Sequence, residues 1–301
     1  MTRPVPADWL ALRRDADHRA RDTAGDLVEM LAAHLRRLGA ENDPAGVRIV
    51  DVGAGTGSNQ AWLADRLPLP QSWTLVDHDA SLVGAADESA LAHVVSTTRE
   101  VAAVDALAPL VPRDVPVVVT CAALLDLLSP AEIDTLADVI APTDGTRDGP
   151  GAAALLSLSV TGRADLSPAD PDDAVIAEAF DAHQRRDDLL GPDAAEAMAD
   201  ALRRRGAQVQ VRPTDWILDA EDEALLRRYL SDRAGVAVEH DERLEPVARE
   251  WLQRRERQLD AGTLRVTVGH TDILSLPSPE PVDPSAPVDS DDRSEPGPSP
   301  R

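Results

Sequence analysis

The sequence predicts an α/β protein: a doubly wound, mostly parallel seven-stranded sheet with helices on both faces. To this it adds an N-terminal helical segment, helical insertions after strands five and six, and an acidic Pro/Ser-rich tail without fixed structure. Three observations carry the prediction. Nearly unbroken apolar runs such as VPVVVTC (115–121) and AAALLSLSV (152–160) alternate with helix-period segments, the pattern of strands covered on both faces. A glycine-rich turn, GAGTG (53–57), joins the first such run directly to a helical segment. The chain of 301 residues is 43% apolar, enough for a large core, whereas the segment after Pro277 is dominated by Pro, Ser and acids.

Taken in order, residues 8–40 read as helix. Leu27, Val28, Leu31, Leu35 and Leu38 share one face at 3.6 spacing, and Gly39 ends the run. VRIVDVG (47–53) is a buried strand rich in β-branched residues, and NQAWLADRL (59–67) a helix stopped by Pro68 and Pro70. WTLVD (73–77) is a second strand, SLVGAADESALAH (81–93) a helix, and HVVSTTREVAAV (93–104) contains a third strand. VPVVVTC is the fourth, followed by PAEIDTLADVI (130–140), with Pro in a first helical turn where its missing N–H costs nothing. A Gly-rich turn, DGTRDGPG, leads into the fifth strand. Residues 163–205 read as polar and helical, GAQVQVRPTDWIL (206–218) as a sixth strand with its exit loop, 220–260 as charged helix, and LRVTVGH (264–270) as the last strand. The segment 278–301 cannot bury enough apolar surface to offset the entropy of ordering, so it is expected to be disordered.

Composition removes several function classes. All 30 basic residues are Arg, so neither a P-loop lysine nor a Schiff-base lysine can be built. The net charge of −24 repels phosphate backbones, and nucleic acid is not expected as a partner. The seven His are scattered and no metal-ligand spacing occurs, so no metal is expected. Cys121 is the only cysteine, there is no apolar run long enough to span a bilayer, and the N-terminus lacks the apolar region of a secretory signal. Together these predict a cytoplasmic protein without a membrane association. Cys121 itself reads as a buried structural residue, since nothing cationic adjoins it in sequence.

The glycine turn narrows the ligand. Gly53, Gly55 and Gly57 give GxGxG, whereas a dinucleotide fingerprint wants Gly or Ala where Ser58 stands. Asp51 places a carboxylate two residues before the first glycine, inside an otherwise apolar strand. Such a charge needs a partner, and a ligand with an amino group would meet it. Asp77, at the end of the second strand, can accept from both hydroxyls of a ribose.

The pairing of DxGxGxG with an acid after the second strand resembles the class I S-adenosylmethionine-dependent methyltransferases, over about residues 45–160 by motif and over 161–277 by topology alone. The resemblance implies a seven-stranded sheet whose last strand is antiparallel. It makes 1–277 one domain: N-terminal helices (1–44), a cofactor-binding half (45–160) and a substrate-side half (161–277). It implies S-adenosyl-L-methionine as cofactor. Asp51 would then face the methionine portion, and Gly53, Ala54, Gly55 and Gly57 would form the turn beneath the ligand. Asp77 would hold the ribose, with His78 beside the adenine. Asp105 and Ala106 would lie near the adenine amino group, although Asp105 reads equally as a helix cap.

The loop after the fourth strand, TCAALLDLLSP, has one charged residue, Asp126. In the family this position lies near the reacting methyl, where Asp126 would orient an acceptor or take its proton. The alternative is a solvated acid between leucines. Trp9, Arg13, Arg21, Phe180, His183, Arg186, Asp215 and Trp216 are candidates for the acceptor side, with His183 and Trp216 foremost. His270 and Asp272 read as local fold contacts. The expected activity is methyl transfer to a small molecule. An NAD-dependent oxidoreductase and a non-catalytic adenosyl-binding protein are the alternatives.

Overall fold

The computed structural model describes residues 6–84, 91–142 and 151–278. Residues 85–90 of the expected 81–93 helix, the DGTRDGPG turn up to Pro150 and the tail from Pro279 lie outside them, while 91–93 form a turn rather than helix. At the centre is one sheet, built from β1 (Val47–Val52), β2 (Gln71–Asp77), β3 (Val94–Val101), β4 (Val117–Ala122), β5 (Ala152–Ser167), β6 (Gln208–Pro213), β7 (Trp216–Leu218) and β8 (Arg265–Leu276). Its order is β3-β2-β1-β4-β5-β8-β6, with β7 also paired to β8. The first five strands are parallel, and β8 runs antiparallel to β5, β6 and β7. The antiparallel last strand implied by the resemblance is therefore present.

The strand count is corrected from seven to eight. The exit loop after β6 folds back as β7, three residues long, against the first half of β8. Two strands are also longer than read. β5 continues through 161-TGRADLS-167, within the stretch expected to be helical, and β8 continues to Leu276. The extension of β5 alternates partly buried and exposed residues, the signature of a one-sided antiparallel ribbon. Its polar half made it look unlike the apolar strands.

Helices α1 (Ala7–Asp22) and α2 (Gly25–Arg37) replace the single N-terminal helix, with a break at Thr23 and Ala24. Then follow α3 (Ser58–Arg66), α4 (Ala80–Gly84), α5 (Pro130–Ile140), α6 (Asp173–Gln184), α7 (Ala194–Arg204), α8 (Glu223–His240) and α9 (Glu245–Asp260). On α5, Ser129 and Glu132 close a reciprocal capping box ahead of Pro130, satisfying first-turn N–H groups.

The core lies in three parts. One face of the sheet packs Val50, Val119 and Leu156 under α5 and α7, and the other packs Ile49, Trp73 and Leu155 under α2 and α3. A third cluster joins α1, α6, α8 and α9 to β7 and the first half of β8 around Tyr229, Leu230 and Trp251. This third cluster stands beyond the carboxyl end of β4 and along the outer half of β5, at the end of the sheet where open α/β folds hold their ligands.

Candidate functional site

The glycine turn leaves β1 and enters α3 through three positive-φ residues. Gly53 has φ +66, and a Cβ there would stand 3.0 Å from Leu124 Cδ1. Gly55 has φ +53, with Leu10 Cδ1 3.2 Å from the same imagined atom. Both positions need glycine for the turn and for the close approach of a neighbour. Asp77 pins this turn: its Oδ2 accepts from the Gly55 N–H at 2.9 Å and its Oδ1 from the Asp79 N–H at 2.9 Å. A carboxylate has about four lone-pair sites, so capacity remains for further donors. His78 lies beside it, largely exposed, with Nδ1 3.3 Å from Asp77 Oδ1.

Asp51 is fully buried. Asn59 Nδ2 donates to its Oδ1 at 2.6 Å and also contacts Thr120 Oγ1 at 3.1 Å, while Asp51 Oδ2 has no hydrogen-bond partner among the described residues. Burial pushes the Asp51 carboxyl up to about 7, against the opposing pull of Asn59 and the Arg21 charge. The nearby Arg21 of α1, whose charge Asp51 feels, is also fully buried and is stacked 3.7 Å above the Trp62 ring centroid. Its Nε lies 3.8 Å from Asp272 Oδ2, and neither Nε nor Nη2 makes a hydrogen bond. Asp272 is held in turn by the Leu158 N–H at 2.8 Å and the Thr214 hydroxyl at 2.7 Å. Leu158 sits at an irregularity of the β5–β8 register and has φ +57, a bulge that turns its amide toward Asp272. His270 and Asp272 make local fold contacts around the last strand, and Asp272 also faces Arg21, whose charge opposes the rise that burial gives its carboxyl. Arg21, expected on the acceptor side, belongs to the glycine turn.

A cavity of about 60 Å³ lies between Arg21, Asn59, His18 and the backbone of Gly53 to Gly55. A second, of about 570 Å³, is lined by Trp9, Asp126, Phe180, Trp216, Tyr229 and Arg233. Arg13 borders both. Asp17 ties this junction together, accepting from Arg13 Nε at 2.8 Å and from Trp216 Nε1 at 3.0 Å. Trp216 lines the larger cavity, with the His270 ring 4.9 Å away, centroid to centroid. Burial and the Arg13 charge push His270 down to about 4, so it is neutral at pH 7.

Asp126 reaches the larger cavity from the 3-10 turn Leu125–Leu127. Its Oδ1 is sealed from solvent without a partner, and burial raises its carboxyl above the ordinary range, with Arg13 opposing. The solvated reading of Asp126 does not hold. Asp105 is exposed inside the 3-10 turn Val104–Ala106, whose N-cap is Ala103, so it is not a helix cap. The end of β3 does meet the site, through the Ala102 N–H and the Asp77 carbonyl at 3.1 Å. His183 does not line either cavity; its Nε2 is 3.4 Å from Glu239 Oε2 and its Nδ1 2.6 Å from Arg186. Cys121 is buried and its thiol is pushed up by burial, as a structural cysteine should be.

Sequence reasoning missed Asn59, Tyr229 and Arg233. Asn59 stood in the motif's own helix, eight residues from Asp51, and its polar side chain on the inward face of α3 was the available signal. Tyr229 and Arg233 lie on α8, whose charged composition hides the inward face. Among the described residues no group of three or more His, Cys, Asp or Glu is arranged to hold a metal ion, and no helix is long and apolar enough to cross a membrane.

No protein-family model and no curated protein matches the chain. Solved structures similar to it include a cyclopropane-fatty-acyl-phospholipid synthase-like protein from Lactobacillus casei, at 14% identity and TM-score 0.48, covering 83% of this chain and 92% of that one. Another is a putative methyltransferase from an antibiotic biosynthesis pathway of Anabaena variabilis, at 15% identity and TM-score 0.46, covering 81% and 96%. A third is a phosphoethanolamine N-methyltransferase of Haemonchus contortus, at 14% identity and TM-score 0.41, covering 82% of this chain and 52% of that one. These likenesses are loose, and the functional reading rests on the chain's own residues.

Proposed function

We propose that the protein is an S-adenosylmethionine-dependent methyltransferase acting on a small molecule. One observation carries the reading: two fully buried groups of opposite charge, Asp51 and Arg21, flank the glycine turn, and each keeps a polar atom unpaired. A buried polar atom without a hydrogen-bond partner is costly in a folded chain. A carboxylate oxygen on one side and guanidinium nitrogens on the other match the ammonium and carboxylate of an α-amino acid. Asp77 supplies the remaining acceptor capacity for a pair of ribose hydroxyls. A nicotinamide dinucleotide offers no amino-acid zwitterion, so it leaves Asp51 and Arg21 unmet.

The donor set fits the cofactor, but the space does not yet hold it. A volume of about 60 Å³ beside the turn has room for a water or two rather than an adenosyl group. Leu10 and Leu124 rest on Gly55 and Gly53, so loading requires both to withdraw. α1 carries Leu10, Arg13, Asp17 and Arg21, which makes it a cover that brings half of the site with it.

When bound, S-adenosylmethionine supplies an activated methyl group, so the protein's contribution is alignment and exclusion of water, worth effective molarities on the order of 10⁵–10⁸ M. Arg21 and Asp51 fix the amino-acid end, and Asp77 fixes the ribose. Asp126, in the wall of the larger cavity, orients the acceptor or takes its proton, and burial raises its carboxyl above the ordinary range. His270, held neutral, and Trp216 shape the wall. The test is calorimetry with S-adenosylhomocysteine. Arg21→Met is expected to weaken binding by about 10- to 100-fold, the loss of a charge-assisted hydrogen bond. Unchanged affinity in that variant would remove the basis of the reading.

A further inference from the structure

The larger cavity concentrates aromatic side chains in a chain that has few. The whole sequence contains five Trp, one Tyr and one Phe. Four of these, Trp9, Phe180, Trp216 and Tyr229, line this one space. At about 570 Å³ it is the size of a small-molecule site. Guanidinium groups stack beside each ring. Arg13 lies 5.2 Å from the Trp216 centroid, Arg228 5.6 Å from Trp9, and Arg233 4.5 Å from Phe180 and 5.6 Å from Tyr229.

The lining arginines differ in one respect. Arg13 is paired with Asp17, Arg163 with Asp215 at 2.7 Å and Arg228 with Asp232 at 2.8 Å. Among the described residues Arg233 has no such carboxylate. It is 4% exposed, its Nη1 donates to the Tyr229 hydroxyl at 3.0 Å, and its Nη2 is buried with no acceptor. Asp181 feels the Arg233 charge without forming an ion pair with it. The sign of the missing partner follows from chemistry. A guanidinium cannot lose its charge inside a protein, whereas a buried carboxyl can take up a proton. Asp126 and Asp181, which also carry an unpartnered oxygen, are both pushed by burial toward the protonated form. Of the buried groups in this wall, the Arg233 guanidinium is the one whose charge burial cannot remove; Glu239, also in the lining, is half-exposed and stands 3.4 Å from His183 Nε2.

We infer that the acceptor is a small organic acid, with a ring-sized apolar body against Trp9, Phe180 and Trp216 and its carboxylate on Arg233. Arg233 is thus a specificity-determining residue that sets the sign of the substrate. The inference takes the cavity as the acceptor side on the methyltransferase reading, but it is tested without the cofactor.

The full chain is titrated with benzoate, hydroxybenzoates and indole-3-carboxylate, and in parallel with their methyl esters and with benzylamine. Binding is followed by tryptophan fluorescence, since Trp9 and Trp216 stand in the wall. At least one acid is expected to bind ten-fold or more tighter than its ester, with the amine weaker still. Arg233→Gln should lower acid affinity ten-fold or more and leave the ester unchanged. Should that variant unfold, the acid-to-ester ratio of the unaltered protein still decides the matter. Equal binding of acid and ester, preference for the amine, no acid binding up to millimolar, or an acid preference that survives in a folded Arg233→Gln protein would each overturn the inference. S-adenosylhomocysteine is titrated on the same samples. If it binds and the acids do not, the inference alone falls. If the acids bind through Arg233 and it does not, the methyltransferase reading falls and the anion site stands.

Discussion

At Asp51, burial and an unmet oxygen make the charge state the decisive variable. Its carboxyl is pushed up to about 7 in the folded protein, above the ~3.9 of an exposed aspartate. Between those values the native state keeps a proton that the unfolded chain has released, so this group lowers stability as pH rises through the window. The slope is at most about 1.4 kcal/mol per pH unit. Asp51→Asn removes it, so urea midpoints should show the variant gaining on the unaltered protein between pH 5 and pH 7; a constant difference would contradict the assignment. A bound α-ammonium should strip the same proton, so S-adenosylhomocysteine affinity should rise with pH through about 7 and release protons to the buffer. At Asp126, replacement by Asn should lower turnover by about 10²- to 10⁴-fold with little change in cofactor affinity, if it is the base. Asp51 and Asp77 were legible because both stand at fixed offsets from one glycine turn. Arg21 and Arg233 were not, because what marks them is an absent partner, and partners are brought or withheld by α1, α8 and β8 from distant parts of the chain.

The helix α1 is the element on which access turns. It lies over the glycine turn through Leu10 and is locked to β7 through Asp17, which holds both Arg13 and the Trp216 indole N–H. Asp17→Ala leaves a buried indole donor and a nearly buried guanidinium unpaired, so a loss of about 2–3 kcal/mol is expected, read as a fall of several degrees in Tm. Hydrogen exchange should report the cover directly. Amides of α1 and of the 122–128 loop should change protection when S-adenosylhomocysteine is added, and unchanged rates in both would mean that Leu10 and Leu124 need not move. The parallel half of the sheet was readable because its strands are apolar on both faces. The antiparallel half was not: the outer part of β5 alternates in exposure and β7 has only three residues, so neither produces an apolar run. The break between α1 and α2 was hidden because helix-forming residues flank it on both sides.

Over the whole molecule, the described sheet is complete at Leu276, the end of its last strand. The acids and prolines beyond it add to a net charge of −24 and contribute no apolar run. A chain ended after Ser278 should therefore melt within a degree or so of the full one, and a larger fall would show that the tail packs on the domain. The glycine turn, the sheet's switch point and the third core cluster lie together at one end of the sheet, the candidate ligand-binding end, which the order of apolar runs predicts. What binds at that end decides the chemistry. Calorimetric titration of the full chain with S-adenosylhomocysteine and, separately, with NAD tests it most directly. Micromolar binding of the former, lost in Asp77→Ala, with no heat from NAD, is the predicted result. Heat from NAD with none from S-adenosylhomocysteine would contradict the methyltransferase reading and turn the same sheet into a dinucleotide fold.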